Sequence, residues 1–303
     1  MPDTMTVLCA AGDARYIYAA EGLSRRFTVF SHKLSPRPRG TYPLSDLADI
    51  KGAADVLLLP MLAGAKESEQ GLFIPAGAEK LCLRTLLPAL KPGALVIGGR
   101  IPPAVRELFA SAGFEVEDCF DRPELVMRNA VPTAEGALML AMQEQVSTVF
   151  GSRVLITGFG TVAKAVARLF SGAGAEVVCA VRRAEAAAEA EVSGYGSLML
   201  PLTAESVSGF DTVINTVPAM IMGRDVLGGI GEKSLIIELA SLPGGVDRQA
   251  AAELGVRCIH APGLPGKVAP AAAGEYIAEA AANIIISRTR KGCEKERRAG
   301  NVT

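Results

Sequence analysis

Residues Val154 to Arg183, reading VLITGFGTVAKAVARLFSGAGAEVVCAVRR, constrain the fold more than any other stretch of this chain. A short apolar run is followed by Gly158, Gly160 and Ala163 in the spacing G-x-G-x-x-G/A, then by apolar residues at helical spacing, then by a second apolar run. That order of strand, turn, helix and strand is what distinguishes a dinucleotide-binding unit from an isolated glycine motif. Gly158 permits the tight turn, Gly160 lets backbone approach a pyrophosphate, and Ala163 is small enough for close contact between helix and strand. The helix begins at Thr161 and Val162, where free N–H groups face the phosphates. Val162, Val166, Leu169 and Phe170 lay it on the sheet, and Gly172 and Gly174 stop it.

The second strand, Glu176 to Val181, bears on the choice of cofactor. Sites that prefer NAD place a carboxylate at its end to take the ribose hydroxyls. This chain has Arg182 and Arg183 there. Guanidinium groups hold a 2′-phosphate by charge-assisted, bidentate hydrogen bonds, so NADP is expected, with NAD second.

At 303 residues, half of them hydrophobic, the chain can bury two ordinary cores. A net charge of −1 gives no basic face for nucleic acid. The six cysteines, Cys9, Cys82, Cys119, Cys179, Cys258 and Cys293, show no C-x-x-C pairing and read as reduced thiols of a cytoplasmic protein. With only His32 and His260 as histidines, no metal centre is expected. No signal peptide and no run of 18 apolar residues is found, so no membrane segment is expected.

The fold class that follows is α/β, with two open parallel-sheet domains, the second a Rossmann dinucleotide-binding domain. Residues 1–130 form a flavodoxin-like domain with strands at Thr6 to Cys9, Phe27 to Phe30, Asp55 to Leu59, Ala94 to Ile97 and Phe114 to Val116. Its helices are at Arg15 to Ser24, Glu79 to Leu90 and Pro103 to Ala112, and Ser35 to Pro43 and Gly64 to Gly77 read as mobile loops. After a link at Asn129 to Thr133, a helix from Ala134 to Val149 makes residues 131–150 an inter-domain element. Residues 151–288 form the second domain, with strands at Val154 to Ile156, Val177 to Ala180, Thr212 to Asn215, Leu235 to Glu238 and Arg257 to Ile259 and a last helix at about Ala271 to Ser287. The charged tail, 289–303, is expected to be disordered.

Ligands of open α/β sheets bind outside the carboxyl ends of the strands. The segments there are Asn215-Thr216-Val217-Pro218, Glu238 to Gly245 (including Ala240 and Ser241), and His260 to Lys267, all rich in small residues and prolines. Asn215, Thr216, Pro218 and Ala240 therefore join the glycines, Thr161, Val162, Arg182 and Arg183 as candidate cofactor contacts.

These segments, taken with Ala11-Gly12-Asp13-Ala14-Arg15, Pro132 to Ala137 and the run from Ala261 to Pro270, resemble the A-type component of dipicolinate synthase from spore-forming bacteria over nearly the whole chain except the tail. The resemblance implies an oxidoreductase that forms pyridine-2,6-dicarboxylate from a dihydro- or hydroxytetrahydro-dipicolinate in the mother-cell cytoplasm during sporulation. It also implies that the partner is a flavoprotein-like B subunit, and family likeness adds a homodimer. Such a reaction needs a hydride acceptor, a base for one ring proton, and cations or donors for two carboxylates. The candidate cations are Lys267, isolated in a Gly-Pro loop, and Arg15, reaching from the first domain across a cleft; Thr133 and Ser241 are candidate donors. His260, with its ordinary pKa near 6.5, and Glu135, as a carboxylate desolvated on the inter-domain helix, are the candidate bases. Thr133 equally reads as the N-cap of that helix. Two alternatives stay open: a non-catalytic nucleotide-binding scaffold, and an alanine- or 2-hydroxyacid-type dehydrogenase.

Overall fold

The computed structural model describes residues 5–62, 65–68 and 71–300, with side chains up to residue 290. In chain order the elements are β1 (Thr6–Ala10), α1 (Ala14–Ser24), β2 (Thr28–His32), β3 (Tyr42–Leu44), β4 (Ala54–Met61), β5 (Lys66–Ser68), β6 (Gly71–Ala76), β7 (Glu79–Cys82), β8 (Leu90–Gly99), α2 (Pro103–Ser111), β9 (Glu115–Asp118) and α3 (Pro123–Glu144). There follow β10 (Arg153–Thr157), α4 (Thr161–Gly172), β11 (Glu176–Val181), α5 (Ala184–Val192), β12 (Gly196–Met199), α6 (Ala204–Val207), β13 (Thr212–Asn215), α7 (Arg224–Leu227), β14 (Leu235–Glu238), α8 (Arg248–Glu253), β15 (Arg257–His260), α9 (Leu264–Val268) and α10 (Pro270–Gly300).

The chain divides into two compact units, Met1–Arg128 with Ala269–Thr303, and Asn129–Val268. Unit 1 holds a six-stranded sheet of order β3-β2-β1-β4-β8-β9, parallel throughout, and a small antiparallel sheet β5-β6-β7. Unit 2 holds a parallel sheet of order β12-β11-β10-β13-β14-β15. Counted within each sheet, both orders are 3-2-1-4-5-6, the dinucleotide-binding arrangement. The flavodoxin-like expectation for the first domain is therefore corrected. The difference comes from β3, which overlaps the end of the Pro-rich stretch and pairs outward on β2 as an edge strand, a position that tolerates Pro43.

Alternate residues of the central strands bury opposite faces, as a sheet covered on both sides requires. In unit 1, Val7 and Cys9 face one core while Leu8 and Ala10 face the other. In unit 2, Val154 and Ile156 oppose Leu155.

Four expectations are overturned. Glu79 to Leu90 is not a helix: β7 pairs with β6, and Leu83–Ala89 is a 3₁₀ turn whose buried Leu83, Leu86 and Ala89 recur at that helix's three-residue period. Asn129 to Thr133 is not a link, because α3 starts at Pro123 and runs through Pro132. Its buried stripe Ala130, Ala134, Ala137 and Ala141 holds helical spacing across the proline. The last helix packs on α1 in unit 1 rather than in the second domain; its backbone is helical to Gly300, and 301–303 of the charged tail lie outside the described residues. Lys, Arg and Glu, which dominate 288–298, are good helix formers, so the absence of an apolar stripe does not end the helix. Finally, residues 65–68 and 71–77 carry β5 and β6 where a loop was expected, and 63–64 and 69–70 lie outside the described residues. Among the described residues no helix is long and apolar enough to cross a membrane.

Candidate functional site

The strands VLIT, TVIN, LIIE and RCIH each close an apolar run with one polar residue, and the register aligns those four residues across the sheet: Thr157 with Asn215, Asn215 with Glu238, Glu238 with His260. Thr157 and Asn215 are fully buried and Glu238 almost so. Such a row is costly unless every lone pair and proton is matched. Thr157 Oγ1 bonds to Asn215 Oδ1, and Asn215 Nδ2 donates to Glu238 Oε1 at 2.7 Å and to Val217 O at 3.0 Å. Asn215 Oδ1 also accepts from Val217 N. Glu238 accepts three backbone N–H bonds besides, from Ala240 at 3.0 Å, Gly245 at 2.9 Å and Val246 at 3.1 Å. The side chain of Asn215 is thus fully buried and hydrogen-bonded inside the protein, where it ties the loops after β13 and β14 together. Thr157 and Glu238 are not among the site residues expected from sequence, although the polar end of each run signals them.

Above this row the loops lock together. Ile221 and Met222 donate to Gly245 O, and a Cβ on Gly245 would lie 2.5 Å from Asn215 Nδ2 and 2.7 Å from Val217 O. Gly244 has φ +86°, which glycine adopts without strain. Thr216 Oγ1 donates to Thr157 O at 2.6 Å, and Pro218, Ser241 and Leu242 stand exposed on the outer side. Ala240 is buried at the base of its loop.

The fingerprint turn lies beside this platform, at the point between β10 and β13 where the strand order reverses. Gly158 has φ +84° and donates its N–H to Ala180 O at 2.7 Å. Gly160 is the N-cap of α4, and a Cβ placed on it would meet nothing within 4 Å, so the first turn of the helix is open from that side. Thr161 is exposed, Val162 half-buried, and Ala163 fully buried against the sheet. Arg182 and Arg183 follow β11, exposed, and among the described residues neither side chain has a hydrogen bond or ion pair. Open backbone donors next to two unpaired guanidinium groups fit the phosphates of a dinucleotide.

His260, at the end of β15, is half-buried, and its Nδ1 is buried without a hydrogen-bond partner among the described residues. Lys267 is exposed on α9, which replaces the expected loop. Two expectations for α3 fail. Thr133 is not an N-cap, because its Oγ1 donates to Asn129 O, four residues back within the helix. Glu135 is exposed in a groove shared with Ala165, Arg168, Gly172 and Ala173 of α4. The crossover helix runs antiparallel to the strands, so this stretch of α4 lies toward their N-terminal ends, away from the fingerprint turn.

In unit 1 the turn after β1 has Ala11 at φ +59° and Gly12 at φ +128°, and Asp13 caps α1 by accepting from Arg15 N. Arg15, whose side chain is 8% exposed, forks onto Asp13 (Nε to Oδ1 2.9 Å, Nη2 to Oδ2 2.6 Å) on the wall of a 350 Å³ cavity with Pro60, Met61 and Pro75. Burial pushes the Asp13 carboxyl up, and the hydrogen bonds and charge of Arg15 outweigh it, holding that carboxyl below its ordinary range. Burial raises the Cys9 and Cys179 thiols to about 12, and it is the largest cause raising Cys119 to about 12 and Cys258 to about 11, which leaves all four protonated and unreactive. No group of metal-binding side chains occurs among the described residues.

Residues 6–120 match the family model for the N-terminal domain of the A-type component of dipicolinate synthase. The chain is 35% identical over 195 residues to the dipicolinate synthase A-type component of Bacillus subtilis (strain 168), an alignment covering 64% of this chain and 66% of that relative. It superposes on the crystal structure of the corresponding dipicolinate synthase chain from Bacillus subtilis with TM-score 0.84 and 27% identity, over 96% of this chain and 99% of that one. The counterpart from Bacillus halodurans gives 0.83 and 26%, over 92% and 97%.

Proposed function

The chain belongs to the family of dipicolinate synthase A-type components, and from that premise we propose that it is the oxidoreductase component of such a synthase, using a nicotinamide dinucleotide, NADP in preference to NAD, to form pyridine-2,6-dicarboxylate from a dihydro or hydroxytetrahydro precursor. The observation that carries the cofactor is the open fingerprint turn at the strand-order reversal of unit 2, with two unpaired arginines at the end of the neighbouring strand. Gly158, Gly160, Thr161 and Val162 hold the pyrophosphate through backbone N–H groups, and Arg182 and Arg183 hold the 2′-phosphate. An oxidised nicotinamide supplies the hydride acceptor.

The chain's own residues then have separable tasks. The row Thr157, Asn215 and Glu238 fixes the loops 216–222 and 240–246, so that Pro218, Ala240 and Ser241 present a preorganised surface. His260 is the proton acceptor, standing in register with Glu238 at the end of β15 with its Nδ1 free of hydrogen bonds among the described residues. Glu135 is withdrawn as a base because it stands on the far side of the domain. Lys267 on α9 and Arg15 in unit 1 are the cations proposed for carboxylates, Arg15 with part of its charge already spent on Asp13. In this reading the protein works in the mother-cell cytoplasm with a flavoprotein-like B subunit.

A second reading, a nucleotide-binding scaffold whose partner performs the redox step, is favoured by the internal use of every carboxylate and amide in the row. Titration of the purified chain with NADP and NAD, followed by addition of enzymatically generated dihydrodipicolinate with and without the B subunit, separates the two. Reduced cofactor and dipicolinate from the chain alone support the first; tight binding with no turnover by the chain alone, and dipicolinate only once the B subunit is added, supports the second. Replacing Arg182 and Arg183 by alanine is expected to weaken NADP about tenfold or more and NAD little, since each lost charged hydrogen bond is worth about 1.5–3 kcal/mol; equal losses for both cofactors sink the NADP assignment.

A further inference from the structure

Among the described residues three side-chain polar atoms are buried with no hydrogen-bond partner: the Tyr16 hydroxyl, Asn129 Oδ1 and His260 Nδ1. Buried polar atoms are nearly always matched, so an unmatched one calls for a partner from outside the chain. Asn129 and His260 both belong to unit 2, and the packing of α3 puts them at the same end of it.

α3 runs against the direction of β15. At its C-terminus Glu144 O accepts from Arg257, the first residue of β15, and the two side chains form an ion pair. About two turns back, a Cβ on Gly136 would stand 2.9 Å from Leu264 Cβ and 3.0 Å from Val268 Cγ2 of α9, the helix that follows the carboxyl end of β15. Asn129 comes seven residues before Gly136, which is roughly 10 Å further along the axis and within about 20° of the same face. It therefore stands beyond the carboxyl ends of the strands, on the face that α3 turns to α9, and His260 closes β15 on the same rim. One turn on from Asn129, Thr133 Oγ1 is spent on Asn129 O, so the side-chain amide of Asn129 is the hydrogen-bonding group left free on this stripe. Its Oδ1 is buried, whereas its Nδ2 is open and also has no partner among the described residues.

A free amide selects its ligand. Oδ1 only accepts and Nδ2 only donates. The two carboxylates of the proposed substrate accept only, so neither can match the buried Oδ1. A primary carboxamide presents an N–H and a C=O side by side and matches both atoms at once. In the dinucleotide proposed for this chain the nicotinamide ring carries that group. A dinucleotide spans the strand-order reversal, so with Arg182 and Arg183 holding one half at the end of β11, the nicotinamide half belongs to the side of β13, β14 and β15. We propose that Asn129 binds the nicotinamide carboxamide, and by fixing the rotation of the ring sets which of its faces meets the substrate. The assignment rests on the dinucleotide reading of unit 2 and adds to it the residue that recognises the reactive end.

The test is calorimetric titration of the full chain with three probes: NADP, its 3-acetylpyridine analogue, in which a methyl group replaces the carboxamide NH₂, and 2′,5′-ADP, which lacks the ring. Wild type is expected to bind NADP about fivefold or more tighter than the analogue, the worth of one neutral hydrogen bond to a buried acceptor. Asn129→Leu, close in size and apolar, is expected to bind NADP about fivefold more weakly, to lose the discrimination against the analogue, and to hold 2′,5′-ADP as the wild type does. The same loss of discrimination in Asn129→Ala frees the result from how leucine packs. The melting temperature of Asn129→Leu is expected to equal or exceed that of wild type, because the substitution removes an acceptor that the free chain leaves unmatched. Equal affinity of wild type for NADP and the analogue overturns the proposal, and so does discrimination that survives in both variants. A parallel loss of 2′,5′-ADP in both variants overturns it as well, since the amide then supports the whole site rather than the ring. Failure of wild type to bind 2′,5′-ADP sinks the dinucleotide reading itself, and this assignment with it.

Discussion

Glu238 shows how a buried carboxylate can be structural rather than catalytic. It accepts four N–H groups and among the described residues has no ion pair, so its lone pairs are matched by the dipoles of the loop it organises. Glu238→Gln keeps the shape but turns an amide NH₂ toward backbone donors, stranding at least one of them. Leaving a buried donor unmatched costs about 1–3 kcal/mol, and the denaturation midpoint is expected to fall accordingly; a variant as stable as wild type shows that the loop does not depend on the acceptor. Asp13 behaves differently because its partner is a cation. Its folded carboxyl titrates below the ordinary 3.8, so its stabilising contribution is present above that value and is lost as pH falls through the lower folded one. Carboxyl NMR titration is expected to find Asp13 still mostly ionised at pH 3.8, and Arg15→Ala is expected to move it back up. An unchanged value in Arg15→Ala removes the fork as the cause.

Elements set where these residues meet, and they differ in how far the sequence reveals them. The unit from β10 to β11 is legible because glycine spacing, apolar strands and a helical stripe all agree on one structure. The polar row is legible one residue at a time, as the last letter of VLIT, TVIN, LIIE and RCIH, but who bonds to whom depends on register, which is long-range. α3 is misread because Pro132 is a strong local signal, and the alanine stripe that overrides it has weak hydrophobic contrast. The same helix offers a test in which propensity and packing oppose each other. Gly136→Ala gains up to about 1 kcal/mol of helix propensity. Its Cβ, however, would stand 2.9 Å from Leu264 Cβ and 3.0 Å from Val268 Cγ2, forcing α9 to shift. Overpacking costs about 1–3 kcal/mol, so net destabilisation is expected in urea denaturation. A more stable variant implies that α9, and Lys267 with it, yields easily.

At the scale of the whole molecule, the two main sheets repeat one strand order, yet the chain does not close its first unit until its last helix. α10 returns to pack on α1, a connection that no local pattern announces, since an apolar helical stripe does not say which sheet it covers. The nearest signal is a pair of glycines. A Cβ on Gly22 would stand 2.7 Å from Ala278 Cβ, and one on Gly274 would stand 2.3 Å from Arg15 O, so both helices need glycine where they cross. Three isoleucines of α10, Ile277, Ile284 and Ile285, are at most 1% exposed in the unit 1 core. At about 1.5–3 kcal/mol each, they contribute roughly 5–9 kcal/mol, comparable to the whole stability of an ordinary domain, about 5–15 kcal/mol. Ending the chain after Val268 is therefore expected to unfold unit 1 while unit 2, which keeps all of its own strands, stays folded. Limited proteolysis is expected to degrade residues 1–128 of the shortened chain and spare 129–268. The spared part is also expected to keep its affinity for 2′,5′-ADP, because the fingerprint turn, Arg182 and Arg183 all lie within it. Protection of 1–128 in the shortened chain means that the β-sheet and α1 suffice without the returning helix.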